Sequence, residues 1–400
     1  VAGDVSAGNA HLIGQQVYCL EAEAELPGHG LPAILVAEVE LEHVVQVAVP
    51  SHAFAVTACT DNVDKPSPVT HGRGSAISRG FHTRGVEILQ DGIPFNLADG
   101  SGDYYQIDPL AIRSVGVYKG GNALLFGSST LGGAFNFVST TARTAEAQNI
   151  VRQEIGSFGT VRNQVQVSRV IGDWDFLINQ SYTHADGWRA RDGQRGEHFN
   201  ANVGYRISPN IETRFFFGAY YTDQLLPGSL TLTQALSTPK MASASATQFR
   251  TARNTHVERL ANITTIGLET GRIDIATWAI HKNLDHPTGS SYIKQDGWTF
   301  GIAPTYTGKL KLGDYRDDLV VGARLYTGTN NARQFNYTSI PIGTQDLNAV
   351  QKAPNAELFV DNKFWATPTF ALVSGVKLLA QSREFIDKGT TVANPTYRDV

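Results

Sequence analysis

A few short segments of the sequence bring metal-binding or nucleophilic side chains close together. Residues 99–103 (Asp-Gly-Ser-Gly-Asp) begin like a calcium loop, but Tyr104 and Leu110 stand where that loop needs Gly and Glu. Residues 118–121 lack the Gly-Lys-Ser/Thr order of a phosphate loop. Residues 127–129 lack the Gly-x-Ser-x-Gly order of a hydrolase nucleophile. The sequence therefore predicts no catalytic site, no metal site and no cofactor, and we do not expect an enzyme.

The composition favours a protein made mostly of strands and turns. The 400 residues include 39 Gly, 14 Tyr and 19 Phe, a mixture typical of β-rich folds. A net charge of -4 argues against a nucleic-acid partner. Cys19 and Cys59 match neither a zinc site nor a disulfide framework. No run of about 18 apolar residues is present that would predict a membrane-spanning helix.

From residue 150 onward, the sequence alternates between strand-like runs and turns. In His198 to Ile207, apolar residues fall on one face and Asn200, Asn202, Gly204 and Arg206 on the other. This period of two predicts a strand with one apolar side and one polar side. The same alternation recurs along the chain and predicts about eleven strands: 150–156, 160–170, 174–184, 198–207, 211–223, 256–268, 272–283, 296–312, 317–328, 354–365 and 369–381.

The lengths of the connections distinguish a membrane barrel from a soluble sandwich. Short turns alternate with long loops, and the long ones are predicted at 185–197, 224–255, 284–295 and 329–353. Short periplasmic turns and long extracellular loops are typical of transmembrane β-barrels, whose tilted strands reach about ten residues. Trp174 and Trp365 adjoin short turns, where an aromatic girdle belongs. We therefore expect an all-β-dominated membrane protein, an antiparallel barrel with its apolar faces outward.

The segment before the strands predicts a separate small domain. Residues 73–145 are rich in Gly, Asp and Pro and contain short apolar runs, which is typical of a compact domain with close backbone contacts. Barrels of 22 strands have a plugged lumen. We therefore expect an α+β plug domain over 73–145, incomplete at its start, and the first half of a truncated barrel over 146–400.

Several blocks in this segment resemble the TonB-dependent receptor family of outer-membrane proteins. The blocks are Arg73-Gly74, Arg84-Gly85-Val86, Leu89-Gln90-Asp91-Gly92-Ile93-Pro94, Ile107-Asp108-Pro109, 115–120 (VGVYKG), 123–127 (ALLFG) and 131–138 (LGGAFNFV). Their order and spacing resemble the family's plug domain and its exit into the first barrel strand. The resemblance is strong over 73–142 and weaker over the barrel.

The residues of the resembling blocks have physical roles that can be tested. Asp91-Gly92 is typical of a tight hairpin turn that needs positive φ, with Pro94 fixing its exit. Gly127, Gly132 and Gly133 allow close approach of the backbone. A second group could bond either within the plug or across to the barrel: Arg84, Asp91, Lys119 and Asn136. The motif also includes Gly85, Asp108 and Gly120.

Residues 1–72 differ from the rest of the chain. They hold one of the 33 basic residues, Lys65, and five of the eleven histidines. They show no signal peptide, no upstream plug segment and no energy-coupling (TonB) box. Two interpretations remain open, a variable N-terminal domain and an out-of-frame or misplaced segment, and we expect the second because the resemblance begins abruptly near Arg73.

The resemblance implies energy-coupled uptake of a scarce ligand, most often an iron–siderophore complex, across the bacterial cell outer membrane. The implied partners are outer-membrane lipid, a TonB-type energy-coupling protein and the ligand itself. A candidate ligand surface lies on the predicted loops and the plug apex: Tyr104, Tyr105, Trp188, Arg189 and Arg191. The alternatives are a passive, porin-like channel, an outer-membrane barrel hydrolase and a soluble β-rich adhesin.

Overall fold

The computed structural model describes residues 85–389 with short gaps, together with five short strands outside that range. The gaps are residues 103–105, 120–122, 124, 128–129, 131 and 338–342. Within the described part of the chain, no α-helix is both long enough and apolar enough to cross a membrane.

The first four strands are short. They are β1 (Tyr18–Ala22), β2 (Ala33–Ala37), β3 (Val45–Ala48) and β4 (Thr57–Ala58). Strands β2, β1 and β4 form a small antiparallel sheet in that order. The other residues of the segment 1–72, on which the frame-change hypothesis rests, lie outside the described residues.

The plug is built on a mixed sheet of short strands. They are β5 (Val86–Gln90), β6 (Ile93–Pro94), β7 (Ile112–Tyr118) and β8 (Gly133–Ser139), with a 3₁₀ turn at Pro109–Ala111. The sheet order is β3-β7-β8-β5-β6, and β5 runs parallel to β8. Val86, Ile88, Ile93, Val115 and Phe135 are almost fully buried and form the plug core. The short apolar runs of this segment therefore form strands β5, β7 and β8.

The other strands form one antiparallel sheet of 14 strands. They are β9 (Asn149–Ile155), β10 (Val161–Ile171), β11 (Trp174–Ala185), β12 (Gln194–Ser208), β13 (Ile211–Leu225), β14 (Ala252–Leu268), β15 (Gly271–Pro287), β16 (Ser291–Leu312), β17 (Tyr315–Asn336), β18 (Gln345–Lys352), β19 (Asn355–Thr367), β20 (Phe370–Gln381), β21 (Arg383–Asp387) and β22 (Tyr397–Asp399). Helices α1 (Leu232–Ser237) and α2 (Ala244–Gln248) lie between β13 and β14.

The prediction of about eleven long strands matches this sheet. Strands β18 and β19 both pair with β17, one after the other, so they form one barrel strand interrupted at Ala353-Pro354. Two of the predicted long loops are wrong. The connection predicted at 284–295 is only 288–290, and most of 329–353 is strand. In these segments both strand faces are partly exposed, so the apolar–polar alternation that marks a membrane strand is absent.

The two faces of the sheet have the predicted polarity. In β12, Asn200 and Asn202 are buried on the inner face, whereas Val203 is 40 % exposed on the outer face. In β10, Val165 and Val167 point outward and Gln164 is buried inside. Outward apolar and inward polar side chains are the arrangement of a membrane barrel. The plug core and inward residues of β13–β15 form one buried apolar cluster, so the plug packs inside the sheet.

Candidate functional site: the plug–barrel interface

The Asp91-Gly92 turn joins β5 to β6 inside the plug. Asp91 has φ 58° and Gly92 has φ 76°, the paired positive values that a two-residue type I′ turn requires. The Asp91 carboxylate accepts from the Ser139 amide at 2.8 Å and from the Ser139 hydroxyl at 2.6 Å. Asn136 Oδ1 accepts from the Gly92 amide at 2.8 Å. Both side chains thus bond within the plug, and burial raises the pKa of Asp91 despite the hydrogen bonds from Ser139.

Asp108 connects the plug to two barrel strands. Its Oδ1 accepts from the Leu110 amide at 3.0 Å and caps the 3₁₀ turn. Its Oδ2 accepts from Asn179 Nδ2 at 3.0 Å, Ser181 Oγ at 2.9 Å and Asn200 Nδ2 at 3.4 Å. The residue is buried, as are its three partners from β11 and β12. While the plug is seated, these donors replace the hydrogen bonds that water would otherwise give to the buried carboxylate.

Arg259 of β14 reaches from the barrel to the plug backbone. Its Nη1 donates to Gln90 Oε1 and its Nη2 to the Gln90 carbonyl oxygen, both at 3.1 Å. Gln90 Nε2 donates to Ser139 Oγ, which in turn donates to Asp91. The guanidinium also lies 5.8 Å from the Phe95 ring centroid. A charged barrel side chain is therefore linked to the hairpin turn of the plug by a chain of hydrogen bonds.

The chain leaving the plug is fixed to the barrel wall. The Thr140 carbonyl accepts from Asn202 Nδ2 at 2.9 Å. Arg143 Nε lies 2.7 Å from Asp175 Oδ2. Asp175 also pairs with Arg214 at 2.7 and 2.9 Å, so two guanidinium groups share one carboxylate, and Glu212 Oε1, 3.1 Å from Arg214 Nη2, supplies a second negative charge. The pairing needs Gly204 on the neighbouring strand, because a Cβ there would fall on Arg214 and Asp175.

A second charged cluster lies where the plug meets β17, β19 and β20. Glu357 lies 3.7 Å from Arg324 and 3.2 Å from Lys377, and all three are buried. The plug contributes Glu87 and the close approach of Gly127, at which a Cβ would lie 2.8 Å from Arg324 Nη1 and 2.9 Å from the Glu87 carboxylate. Gly127 has φ 131°, a value that side chains rarely adopt. Close backbone approach at Gly127 is what the motif predicts.

The plug apex touches a third part of the wall. The Ala98 amide donates to Thr299 Oγ1 at 3.4 Å, and the Ala98 carbonyl accepts from Asn355 Nδ2 at 3.1 Å. A Cβ on Gly328 would lie 2.7 Å from Ala98 Cβ. The plug is therefore held on several sides, by strands from β10 to β20.

The remaining motif residues have smaller roles in the described structure. The Gly132 amide donates to the Gly85 carbonyl at 2.8 Å, and a Cβ on Gly133 would lie 2.5 Å from the Tyr118 carbonyl. Pro94 pairs with β5, and Lys119 directly follows β7. Arg84 and Gly120 lie outside the described residues.

Several contact residues were not singled out in the sequence. They are Glu87, Gln90, Arg143, Asp175, Arg214, Arg259, Arg324, Glu357 and Lys377. For those on the barrel strands, the available signal was their place on the polar, inward face of strands whose other face is apolar, whereas Arg143 lies in a turn and Glu87 and Gln90 lie on a plug strand that is buried on both faces. Their partners could not be identified because each contact joins distant parts of the chain, as between Arg259 and Gln90.

The extracellular loops give the candidate ligand residues different surroundings. Arg189 donates to the Met241 carbonyl at 3.0 Å and to the Pro227 carbonyl at 3.4 Å, and Arg191 donates to the Thr251 carbonyl at 3.1 Å. Both therefore connect the short loop after β11 to the long loop that holds α1 and α2. Trp188 is exposed. The other two candidates, Tyr104 and Tyr105, lie outside the described residues.

Comparison with known proteins places this plug in a family. The family model "TonB-dependent Receptor Plug Domain" matches residues 53–134. The plug segment of this chain is therefore that of a TonB-dependent receptor. The match begins ahead of residue 73, so plug-like sequence extends into the segment expected to be atypical. The boundary at 73 stays a prediction.

Relatives and solved structures extend the likeness to the barrel. The chain is 27% identical over 153 residues to the vitamin B12 transporter BtuB of Vibrio vulnificus, covering 37% of this chain and 23% of that protein. It resembles the unliganded ferric citrate transporter FecA with a TM-score of 0.66 at 14% identity, covering 76% of this chain and 49% of that one. The siderophore receptor PiuA from Acinetobacter baumannii gives 0.64 at 12% identity, covering 82% and 55%.

These structural matches show the fold of a TonB-dependent receptor, a plug inside an outer-membrane barrel. The chain spans about half the length of the solved structures and a quarter of BtuB. Homologues in this family are outer-membrane proteins, and the outward apolar band of β10 to β20 fits that location.

Proposed function

We propose that this protein takes up a scarce ligand through the outer membrane and that the ligand is an iron–siderophore complex. The observation that carries the proposal is the plug seated in the lumen by buried polar contacts, centred on Asp108 and Arg259. A lumen filled in this way does not conduct passively. Transport then requires the plug to move or rearrange.

The nature of the interface supports a plug that moves. Groups such as Asn179, Ser181 and Gln90 bind water well when separated, so their hydrogen bonds contribute little net free energy relative to the hydrated state. An entirely apolar interface would expose apolar surface to water when the plug and the barrel separate, and this cost would oppose the movement of the plug. A polar interface therefore suits a plug that an energy-coupling protein displaces, and a TonB-type protein is the proposed partner.

The ligand class is supported by the relatives. FecA is named a ferric citrate transporter and PiuA a siderophore receptor, whereas BtuB is named a vitamin B12 transporter. The two solved structures are named for ferric citrate and for a siderophore, so an iron chelate is the first candidate and a cobalamin the second. Among the candidate ligand residues of the loops, Trp188 has an exposed ring. It precedes Arg189 and Arg191, whose hydrogen bonds connect the loop after β11 to the loop after β13.

Uptake measurements in cells that express the protein test the proposal. Cells with and without the gene are given radiolabelled ferric siderophores or labelled cobalamin, with and without a protonophore. We expect gene-dependent accumulation of a ferric siderophore that the protonophore abolishes. Accumulation of small solutes that is insensitive to the protonophore would support the passive channel instead. Trp188→Ala should weaken ligand binding, and unchanged binding would remove Trp188 from the site.

A further inference from the structure

A small cavity lies between the plug and the barrel wall, beside Arg259. Its volume is about 10 Å³. The plug side includes Ala111, Ser139 and Thr140, and the barrel side includes Asn200 and Arg259. A space of roughly this size holds one water molecule when its walls are polar, whereas an apolar cavity stays dry.

Arg259 brings an unpaired donor to this cavity. Its Nη1 and Nη2 donate to Gln90, but its Nε has no hydrogen-bond partner among the described residues. The residue is only 3% exposed, so bulk water does not reach this N–H group. A buried N–H without an acceptor destabilises the folded state. The lining mixes apolar side chains such as Leu177 and Phe216 with polar ones, and an unpaired buried donor among those polar groups points to an acceptor that does not belong to the protein.

The cavity also offers acceptors to a water molecule. Asn200 Oδ1 accepts from Tyr220 Oη at 2.8 Å, and Asn202 Oδ1, also in the lining, accepts from Arg214 Nη1 at 3.0 Å. Each amide oxygen has a second lone pair, and the Thr140 hydroxyl both donates and accepts. A buried water typically makes about three hydrogen bonds, and this lining supplies enough partners.

We propose that one ordered water molecule occupies this cavity, accepts from Arg259 Nε and donates to the polar side chains that line it. Asn200 belongs to the Asp108 network, and Arg259 belongs to the chain that runs through Gln90 to the Asp91 turn. Tyr220 already connects Asn200 to Gln90, and the water adds a second link between the two plug–barrel networks. Seating the plug then depends on this water as well as on direct contacts.

A pair of substitutions at Ala111 tests the proposal. Ala111→Ser and Ala111→Cys each add one heavy atom to a residue that lines the cavity. The Ser hydroxyl can replace the water as the acceptor for Arg259 Nε, whereas the Cys thiol is a weak acceptor. We expect the Ser variant to unfold at a temperature roughly 2–4 °C above that of the Cys variant. The measurement is heat-dependent gel migration of the full chain in detergent.

Ala134 provides a matched control in the plug core. It is fully buried in a separate apolar cluster with Leu89 and Ala123. A hydroxyl there has no such partner, so Ala134→Cys should be more stable than Ala134→Ser. If Cys is equal to or more stable than Ser at residue 111 as well, the cavity is dry and the proposal fails.

A crystal structure of the unmodified protein gives a second test that does not depend on variants folding. An electron-density peak within about 3.2 Å of Arg259 Nε would support the water. An empty cavity at a resolution that shows other buried waters would overturn it.

Discussion

Replacing Asp108 with Ala should loosen the plug from the barrel. The change removes the acceptor for Asn179, Ser181 and the Leu110 amide, and for the weaker bond from Asn200. Each buried donor left unpaired costs about 1–3 kcal/mol, and relief from burying the carboxylate offsets part of the sum. The three closer donors, less this relief, lead us to expect a net cost of about 3–5 kcal/mol.

Hydrogen–deuterium exchange of the purified protein in detergent measures this cost. At about 3–5 kcal/mol, amide exchange in β7 and β8 should accelerate by roughly a hundredfold or more, since about 1.4 kcal/mol corresponds to a factor of ten. Asp108→Asn should fall between Ala and the parent protein. It keeps one acceptor oxygen, but its amide group adds donors where donors already converge.

Asp99 offers a matched control on the same domain. It is exposed, and its carboxylate bonds to Ser101 two residues away. Asp99→Ala should change stability by no more than about 0.5 kcal/mol and leave exchange in β7 and β8 unchanged. If Asp108→Ala behaves like Asp99→Ala, the reasoning that Asp108 fixes the plug to the wall is refuted.

Three further changes probe other contacts. Gly127→Ala should destabilise the plug by about 1–3 kcal/mol, because φ at this residue is 131° and the new Cβ would crowd Arg324. The midpoint of thermal unfolding measures this change, and an unchanged midpoint would contradict the close contact between Gly127 and Arg324. Asp175→Asn should free the chain leaving the plug, because it removes the carboxylate that Arg143 and Arg214 share. Faster exchange in residues 140–148 is expected, and parent-like exchange would show that this ion pair does not fix the chain to the wall. Burial raises the pKa of Asp91 above its ordinary value of 3.8. The stability that the protonated side chain contributes is therefore present below pH 3.8 and is lost as the pH rises through the raised pKa. The midpoint of Asp91→Asn relative to the parent should therefore increase between about pH 3 and about pH 7, and a constant difference would contradict this sign.

The sequence predicts the barrel well where lipid acts on it. In β12 the alternation of apolar and polar residues identifies both faces, because apolar Val203 lies on the lipid-facing side and polar Asn202 lies on the inner side. The same alternation is absent where β15 and β16 continue into water. Asp285 and Lys294 lie opposite each other on one face of this strand pair and are charged, so an apolar outer face no longer distinguishes strand from loop.

The plug–barrel contacts could be predicted only in part. The positive-φ turn at Asp91-Gly92 follows from its own residue types. The partners of Asp108 do not, because they lie more than 70 residues away on two strands, and their position depends on strand register. Register depends on the whole face of each strand and on its turns, not on one motif.

Strands β16 and β17 are each 22 residues long, twice what crossing a membrane requires. At about 3.4 Å per residue each extends roughly 75 Å, or about 50 Å in height at a tilt near 45°. The apolar band of such barrels is about 25 Å tall, so this hairpin rises about 25 Å beyond it. Paired strands of that height place the opening of the barrel beyond the lipid, in the surrounding medium. Molecules arriving from outside would meet a hydrogen-bonded wall long before they meet the plug.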